Sequence, residues 1–350
     1  MAELSEQGIK EIDREGMWGF TSAFPDQWDQ ATELSRDLNI TTDAARIKNV
    51  VITGMGGVAM GGDLVRAYAE NQNKIPVVVF RHYELPAWVG EETLVIACSY
   101  SGDTEETIIA LEEAQARGAQ LICITSGGKL LELARKYDID HIQIPSGLPS
   151  RSALAYSFIP QFRIFKELGF ITAEENTLEI SSRFLHAQEE KLSNFNENEA
   201  LSLAREIQDT LPVIYSDSRL MAPVNIRWIS QFEENAKTLS YGNYFPEMTH
   251  NEIVGWEQIA HLTGRLSVIF LSDKEDNDRV KKRMEITKEL ISEQVAGLYV
   301  LKTQGHDRLT RLLSLVQFAD WTSLYLAILN KTDPTPVAKI DLLKMKLADV

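Results

Sequence analysis

Three aliphatic hydroxyls fall within six residues in Ser99-Tyr-Ser-Gly-Asp-Thr104, after the apolar run Leu94 to Cys98 and before the polar helix opening Glu105-Glu106-Thr107. Ser99, Ser101 and Thr104 can each donate to an anion's oxygen while the first amides of the helix add partial positive charge. Asp103 and Glu106 also have the spacing of a capping box, so the same residues could simply close a turn. Asp103 is expected to point away from any bound dianion. Upstream, Gly54-Met-Gly-Gly-Val-Ala-Met-Gly-Gly62 follows another apolar run and offers bare backbone amides, which suit a phosphate or a carboxylate. As a dinucleotide fingerprint it supplies Gly54, Gly56 and Ala59, but Arg81 and His82 stand where an acid should hold a ribose. Tight helix packing is the structural alternative for this loop.

The second half holds a different chemistry. Glu233-Glu-Asn-Ala-Lys237 ends a helical pattern, and a turn containing Gly242 and Pro246 leads into Phe245-Pro-Glu-Met-Thr-His-Asn-Glu252. A glutamate can carry a proton between carbons and a histidine can shuttle one at an oxygen. The plainer alternative pairs Glu234 with Lys237 at helical spacing and leaves His250 closing a loop.

These residues need strands and helices to hold them. Short apolar runs at Val50–Thr53, Pro76–Phe80, Leu94–Cys98, Gln120–Thr125 and His141–Ile144 predict buried parallel strands. Helical patterns at Gly61–Asn71, Thr104–Arg117 and Lys129–Tyr137 separate them. From Phe158 to Asn198 the pattern is helical without a strand signal. Strands then return at Leu211–Tyr215, Leu266–Leu271 and Gly297–Lys302, alternating with helices at Arg219–Lys237, Asn277–Gln294 and Leu309–Leu329. The fold class is therefore α/β, with two doubly wound parallel-sheet domains in tandem. The expected boundaries are 1–160 with leading helices, 161–205 as bridging helices and 206–350.

The glycine loop followed by Ser-Tyr-Ser-Gly-Asp-Thr-Glu-Glu-Thr resembles the sugar isomerase (SIS) domain, whose hydroxyl loop grips sugar phosphates. Pro149-Ser-Arg-Ser-Ala-Leu-Ala-Tyr156 is similar to that family's arginine-bearing segment. Glu-Asn-Ala-Lys, Pro-Glu, His-Asn-Glu, Asp333-Pro-Thr-Pro-Val and Ile340-Asp-Leu-Leu-Lys344 extend the resemblance to the bifunctional phosphoglucose/phosphomannose isomerases, from Gly54 to Lys344. The resemblance implies Glu234 as catalytic base, His250 as ring-opening residue and Lys344 beside the substrate oxygens. It further implies a phosphate site of Gly57, Val58, Ser99, Ser101, Thr104 and Arg151, a cis-enediol route to fructose 6-phosphate, and a homodimer whose histidine enters the other subunit's site. Val58 departs from the family's usual serine. Its amide remains, and the lost hydroxyl is expected to weaken the phosphate grip by about 1.5–3 kcal/mol.

A non-catalytic sugar-phosphate sensor is the rival reading, but it has no use for Glu234, His250 and Lys344; an NAD(P)-dependent oxidoreductase leaves the serine loop idle. No cofactor is expected, and the six histidines lack a metal-ligand spacing. A formal charge of −16 argues against nucleic acid and anionic lipid as partners. Cys98 and Cys123 lie in apolar runs, no export signal is read, and no apolar run approaches the ~18–20 residues of a membrane span, so a cytoplasmic enzyme is expected.

Overall fold

Parallel strands need crossovers, and the computed structural model, which describes residues 4–38, 40–196, 198–258, 261–262 and 264–347, supplies them with helices almost throughout. Helices α1 (Glu6–Ile12) and α2 (Met17–Ser22) open the chain. There follow α3 (Phe24–Leu34), β1 (Asn49–Thr53), α4 (Gly56–Ala69), β2 (Val77–Phe80), β3 (Thr93–Ser99), α5 (Glu105–Ala116), β4 (Gln120–Thr125), α6 (Gly128–Lys136), β5 (Asp140–Gln143) and α7 (Leu154–Glu167). After α8 (Thr177–Leu192) come α9 (Glu199–Glu206), β6 (Leu211–Asp217), α10 (Ala222–Glu234), β7 (Tyr241–Phe245), α11 (Glu252–Gly255), β8 (Leu266–Ser272), α12 (Asp278–Ile291), β9 (Gly297–Lys302), α13 (Arg308–Leu329) and α14 (Ala338–Leu347). Two compact units result: a first of Ala23–Leu185, and a second of Met1–Ser22 with His186–Val350.

In the first unit the strand order is β2-β1-β3-β4-β5, all parallel. Every residue of β3 is buried, because α4 and α7 on one side and α5 and α6 on the other leave a central strand no polar face. The five strands lie within a residue of their expected positions. Helix α4, by contrast, begins at Gly56 rather than Gly61. Glycine disfavours helices intrinsically, but here Gly61 and Gly62 press against Ser157 and Ile52 so closely that a Cβ would sit 2.2 Å and 2.7 Å from their side-chain atoms. Packing overrides propensity, so Gly57 and Val58 lie in the first helical turn rather than in a loop.

The second sheet repeats the plan in the order β7-β6-β8-β9. Strand β7 was not expected: Tyr-Gly-Asn-Tyr-Phe is too polar to read as a buried strand, and the sheet accepts it because it is an edge, pairing with β6 alone. Of the leading helices, α1 and α2 group with the second unit while α3 stays in the first. The Trp18 ring lies edge-on to Trp321 at 4.7 Å and to Tyr325 at 5.6 Å, a contact worth more than its length suggests. By length and average composition helix α13 is long and apolar enough to cross a bilayer, although no continuous apolar run in it reaches the ~18–20 residues of a span. Polar residues interrupt it, and 94% of its apolar stretch is buried inside the protein.

Those interruptions are structural. Arg227 on α10 bonds both oxygens of Asp320 on α13, at 2.9 and 2.8 Å, with Gln231 Nε2 adding a third bond at 2.7 Å. The arginine and aspartate side chains are 3% and 9% exposed, so neither charge could be left alone. Arg227→Met should therefore lower unfolding free energy by about 3–5 kcal/mol, whereas the double change Arg227→Met with Asp320→Leu should recover most of it in denaturant titrations.

Candidate active site

The strand order of the first sheet reverses between β1 and β3, so the loops after those two strands leave its carboxyl edge side by side. These are the glycine segment and the serine loop. Both following helices start without a side-chain cap: Met55 precedes α4 and Thr104 precedes α5, and neither caps. Their first-turn amides, including those of Gly57 and Val58, are thus left to an outside acceptor. The expected capping box at Asp103 does not form. Asp103 instead turns from α5 and accepts from Lys129 N at the start of α6, 3.0 Å away, which also removes its charge from the mouth of α5.

The three hydroxyls are not equivalent. Ser99 is fully buried, and its Oγ accepts from Gly102 N at 3.0 Å and Thr104 N at 3.4 Å. With both lone pairs used, its proton goes to Thr104 Oγ1, 2.8 Å away, and Thr104 keeps its own proton for another acceptor. Ser101 is exposed, with Asp103 N donating to it at 3.2 Å. Ser99 therefore shapes the loop that Ser101 and Thr104 present.

Two contacts that the sequence did not reveal hold the segment bearing Arg151, one at the serine loop and one at the start of α4. The Tyr100 hydroxyl accepts from Leu148 N at 2.9 Å, fastening the segment that precedes Arg151; burial pushes this phenol's pKa up, which keeps it protonated. Gly57 then meets the same segment: a Cβ there would lie 2.7 Å from Ser150 O and 3.0 Å from Arg151 Cα. Arg151 is 4% exposed. Val58 is buried too, and its carbonyl accepts from Ser157 Oγ at 2.6 Å, so its side chain belongs to the core while its amide stays in the first turn.

In the second unit, Glu234 ends α10 and is half-buried. Lys237 does not simply pair with it along the helix. It has φ +53°, and its Nζ donates to the backbone carbonyl of Glu234 and to that of Pro334 at 2.9 Å. The lysine thereby ties the Glu234 turn to the Asp333-Pro-Thr-Pro segment that leads to α14. Lys344 lies on α14, where every residue is exposed.

His250 is exposed in a 3-10 turn, Glu247–His250, beyond the carboxyl end of β7. The geometry does not bring it to Glu234 of the same chain. A Cβ on Gly242 would strike Asn225 and Ile229 of α10, so α10 covers that face of β7. The alternate residues Tyr241 and Asn243, with Tyr215 on β6, point the other way and hydrogen-bond Glu252 of α11. Glu234's helix and His250's loop thus occupy opposite faces of one sheet. Because α10 runs back to the amino edge, they also lie toward opposite ends of β7, a strand of about 16 Å at roughly 3.3 Å per residue.

Residues 45–164 match the SIS domain family, and residues 196–347 match the family described as the bacterial phospho-glucose isomerase C-terminal SIS domain. A bifunctional phosphoglucose/phosphomannose isomerase of Caldicellulosiruptor bescii is 44% identical over 93% of this chain and 97% of its own. This chain belongs to the bifunctional phosphoglucose/phosphomannose isomerase family. It is an isomerase enzyme built of two tandem SIS-like domains. A relative of the same name in Aquifex aeolicus is 35% identical over 88% of this chain and 93% of its own. The fold is shared more widely: the C-terminal domain of glucosamine-fructose-6-phosphate aminotransferase from Francisella tularensis superposes with a TM-score of 0.74 at 14% identity, covering 91% of this chain and 98% of that one.

The Gly57 contact yields a test of the cradle. Gly57→Ala should push the Ser150–Arg151 segment off the α4 amides and weaken inorganic phosphate binding about tenfold by calorimetry, the equivalent of one charged hydrogen bond, and should also lower the melting temperature, because the added Cβ meets backbone that cannot swing aside.

Proposed function

We propose that this isomerase interconverts glucose 6-phosphate and mannose 6-phosphate with fructose 6-phosphate. The observation that carries the reading is near-full-length identity of 44% to a relative of that name, and the uncapped α4 and α5 termini beside Arg151 supply a phosphate site to match. In this reading the Gly57 and Val58 amides, Ser101, Thr104 and Arg151 hold the phosphate while Ser99 keeps Thr104 oriented. His250 opens the sugar ring. Glu234 then takes the C2 proton, leaving a cis-enediol whose oxygens face Lys344, and the protonated Glu234 delivers its proton to C1. One carbon is oxidised as its neighbour is reduced, so the step needs no external electron carrier and no cofactor is assigned.

Opposite placement of Glu234 and His250 on the second sheet supports a homodimer in which each site takes the glutamate of one subunit and the histidine of the other. Helix α14 favours association as well, since Ile340, Leu342, Leu343, Met345 and Leu347 are all exposed. The proposed compartment is the cytoplasm, in keeping with Cys98 and Cys123, both free and buried, the latter thiol pushed up to about 12 by burial.

Coupled assays with metal chelated should show fructose 6-phosphate formed from both aldose phosphates. Glu234→Gln should cut turnover roughly a hundredfold or more while keeping sugar-phosphate binding. Retention of turnover within about threefold would remove Glu234 from the mechanism. Mixing Glu234→Gln with His250→Ala subunits should restore about a quarter of parental activity, since half the dimers are mixed and each holds one complete site. No recovery after verified exchange would place both groups in one chain's site.

A further inference from the structure

We infer that Glu252 is the positioning residue for His250, a carboxylate that locks the histidine's loop to the sheet rather than touching substrate itself. This deepens the reading of His250 as the ring-opening group and rests on it. The stretch from Pro246 to Glu252 makes little regular structure, a 3-10 turn and the first residue of a four-residue helix. Met248 is fully buried in the core and anchors the turn on one side of His250. On the other side the anchor is polar. The Glu252 carboxylate receives the hydroxyl of Tyr215, the side-chain amide of Asn243 and, at 3.1 Å, the hydroxyl of Tyr241. Three donors from two adjacent strands thus converge on one anion, two residues from the histidine.

The donors are themselves directed. Trp256 Nε1 donates to the Tyr215 oxygen at 3.2 Å, so that hydroxyl's own proton is left for Glu252. Tyr215 is fully buried, and burial together with the Glu252 charge drives its pKa far above the ordinary phenol value, so it stays a donor throughout the working pH range. Asn251 adds a local brace: its carbonyl oxygen accepts from Glu252 N at 2.7 Å and its amide donates to Glu247 at 2.9 Å. His250 itself is exposed between these anchors. A ring-opening group must meet a sugar oxygen within a few tenths of an ångström, and a misplacement of about 1 Å costs on the order of a hundredfold. The hydrophobic anchor of Met248 leaves rotation of the turn open; a carboxylate held at both oxygens closes it.

Ring opening can be read separately from proton transfer. In the Glu234→Gln enzyme the C2 proton stays in place, yet His250 can still open the ring, so exchange between the α and β anomers of glucose 6-phosphate, followed by NMR, reports His250 alone. Adding Glu252→Gln, which turns one acceptor oxygen into a donor, should slow enzyme-catalysed anomer exchange tenfold or more, approaching the rate with His250→Ala. Tyr215→Phe, which removes a single hydroxyl and keeps the core ring, should slow it by a smaller factor. Inorganic phosphate affinity should be unchanged in both. Undiminished exchange with Glu252→Gln, while His250→Ala slows it, overturns this inference alone. Undiminished exchange with His250→Ala overturns the ring-opening reading and this inference with it. A parallel loss of phosphate affinity makes Glu252 a fold-supporting residue and also overturns the proposal.

Discussion

Side chains alternate along a strand, and on β7 that alternation sends Gly242 toward α10 and Asn243 toward α11. Much of the second unit's functional layout follows from this one fact. The helix that ends in Glu234 must return to the amino edge before β7 can begin, and the loop bearing His250 can only follow β7's carboxyl end on the other face. Parallel pairing with β6 over Val213–Asp217 fixes both ends of the strand. A one-residue slip would exchange the faces, so the register also fixes which residues, Tyr215 and Asn243, are available to receive Glu252.

The two sheets share an order around their reversal points but have not kept the same chemistry there. The loop after β3 presents hydroxyls and uncapped amides to an anion. Its counterpart after β8 reads Asp273-Lys-Glu-Asp276 and turns its charge inward. Asp273 bonds Arg311 at 2.8 Å, and although burial works against its ionisation, that guanidinium and Thr303 hold it below the ordinary carboxylate value. Asp276, buried and near the charges of Asp217 and Asp273, is pushed up to about 7. Such a loop repels phosphate. The two units thus share a strand order but differ in the chemistry of the loop after their third strand in sheet order.

What the sequence could tell divides along the same physical line. The five strands of the first sheet were legible because burial on both faces makes each a continuous apolar run. Ser99, Ser101 and Thr104 stood out as candidates because a hydroxyl loop at a helix start is a local pattern, whereas Arg151 was suggested only by the family resemblance. Strand β7 was illegible because an edge strand tolerates Tyr-Gly-Asn-Tyr, and the true start of α4 was hidden because only the close approach of Ser157 and Ile52 makes glycines good helix residues there. The allegiance of residues 1–22 was hidden for a similar reason: Trp18 advertises a contact, but nothing local says that Trp321 and Tyr325 will receive it. Tyr100 went unnoticed because its hydroxyl meets Leu148, 48 residues away in the chain.

The end of α10 in the second unit works partly against its own dipole. Two adjacent carboxylates, Glu233 and Glu234, stand at the carboxyl end of α10, where they oppose the helix dipole. Lys237, just beyond the helix with its backbone at φ +53°, offsets this end: its Nζ donates to the backbone carbonyl of Glu234, as well as to that of Pro334. The body of the helix is held by the buried Arg227–Asp320 pair with Gln231, one to two turns earlier. Replacing that pair with hydrocarbon could match its stability but would give up the bidentate geometry that fixes α10 against α13 in one register. The ion pair thus fixes the position of the helix whose last turn carries Glu234.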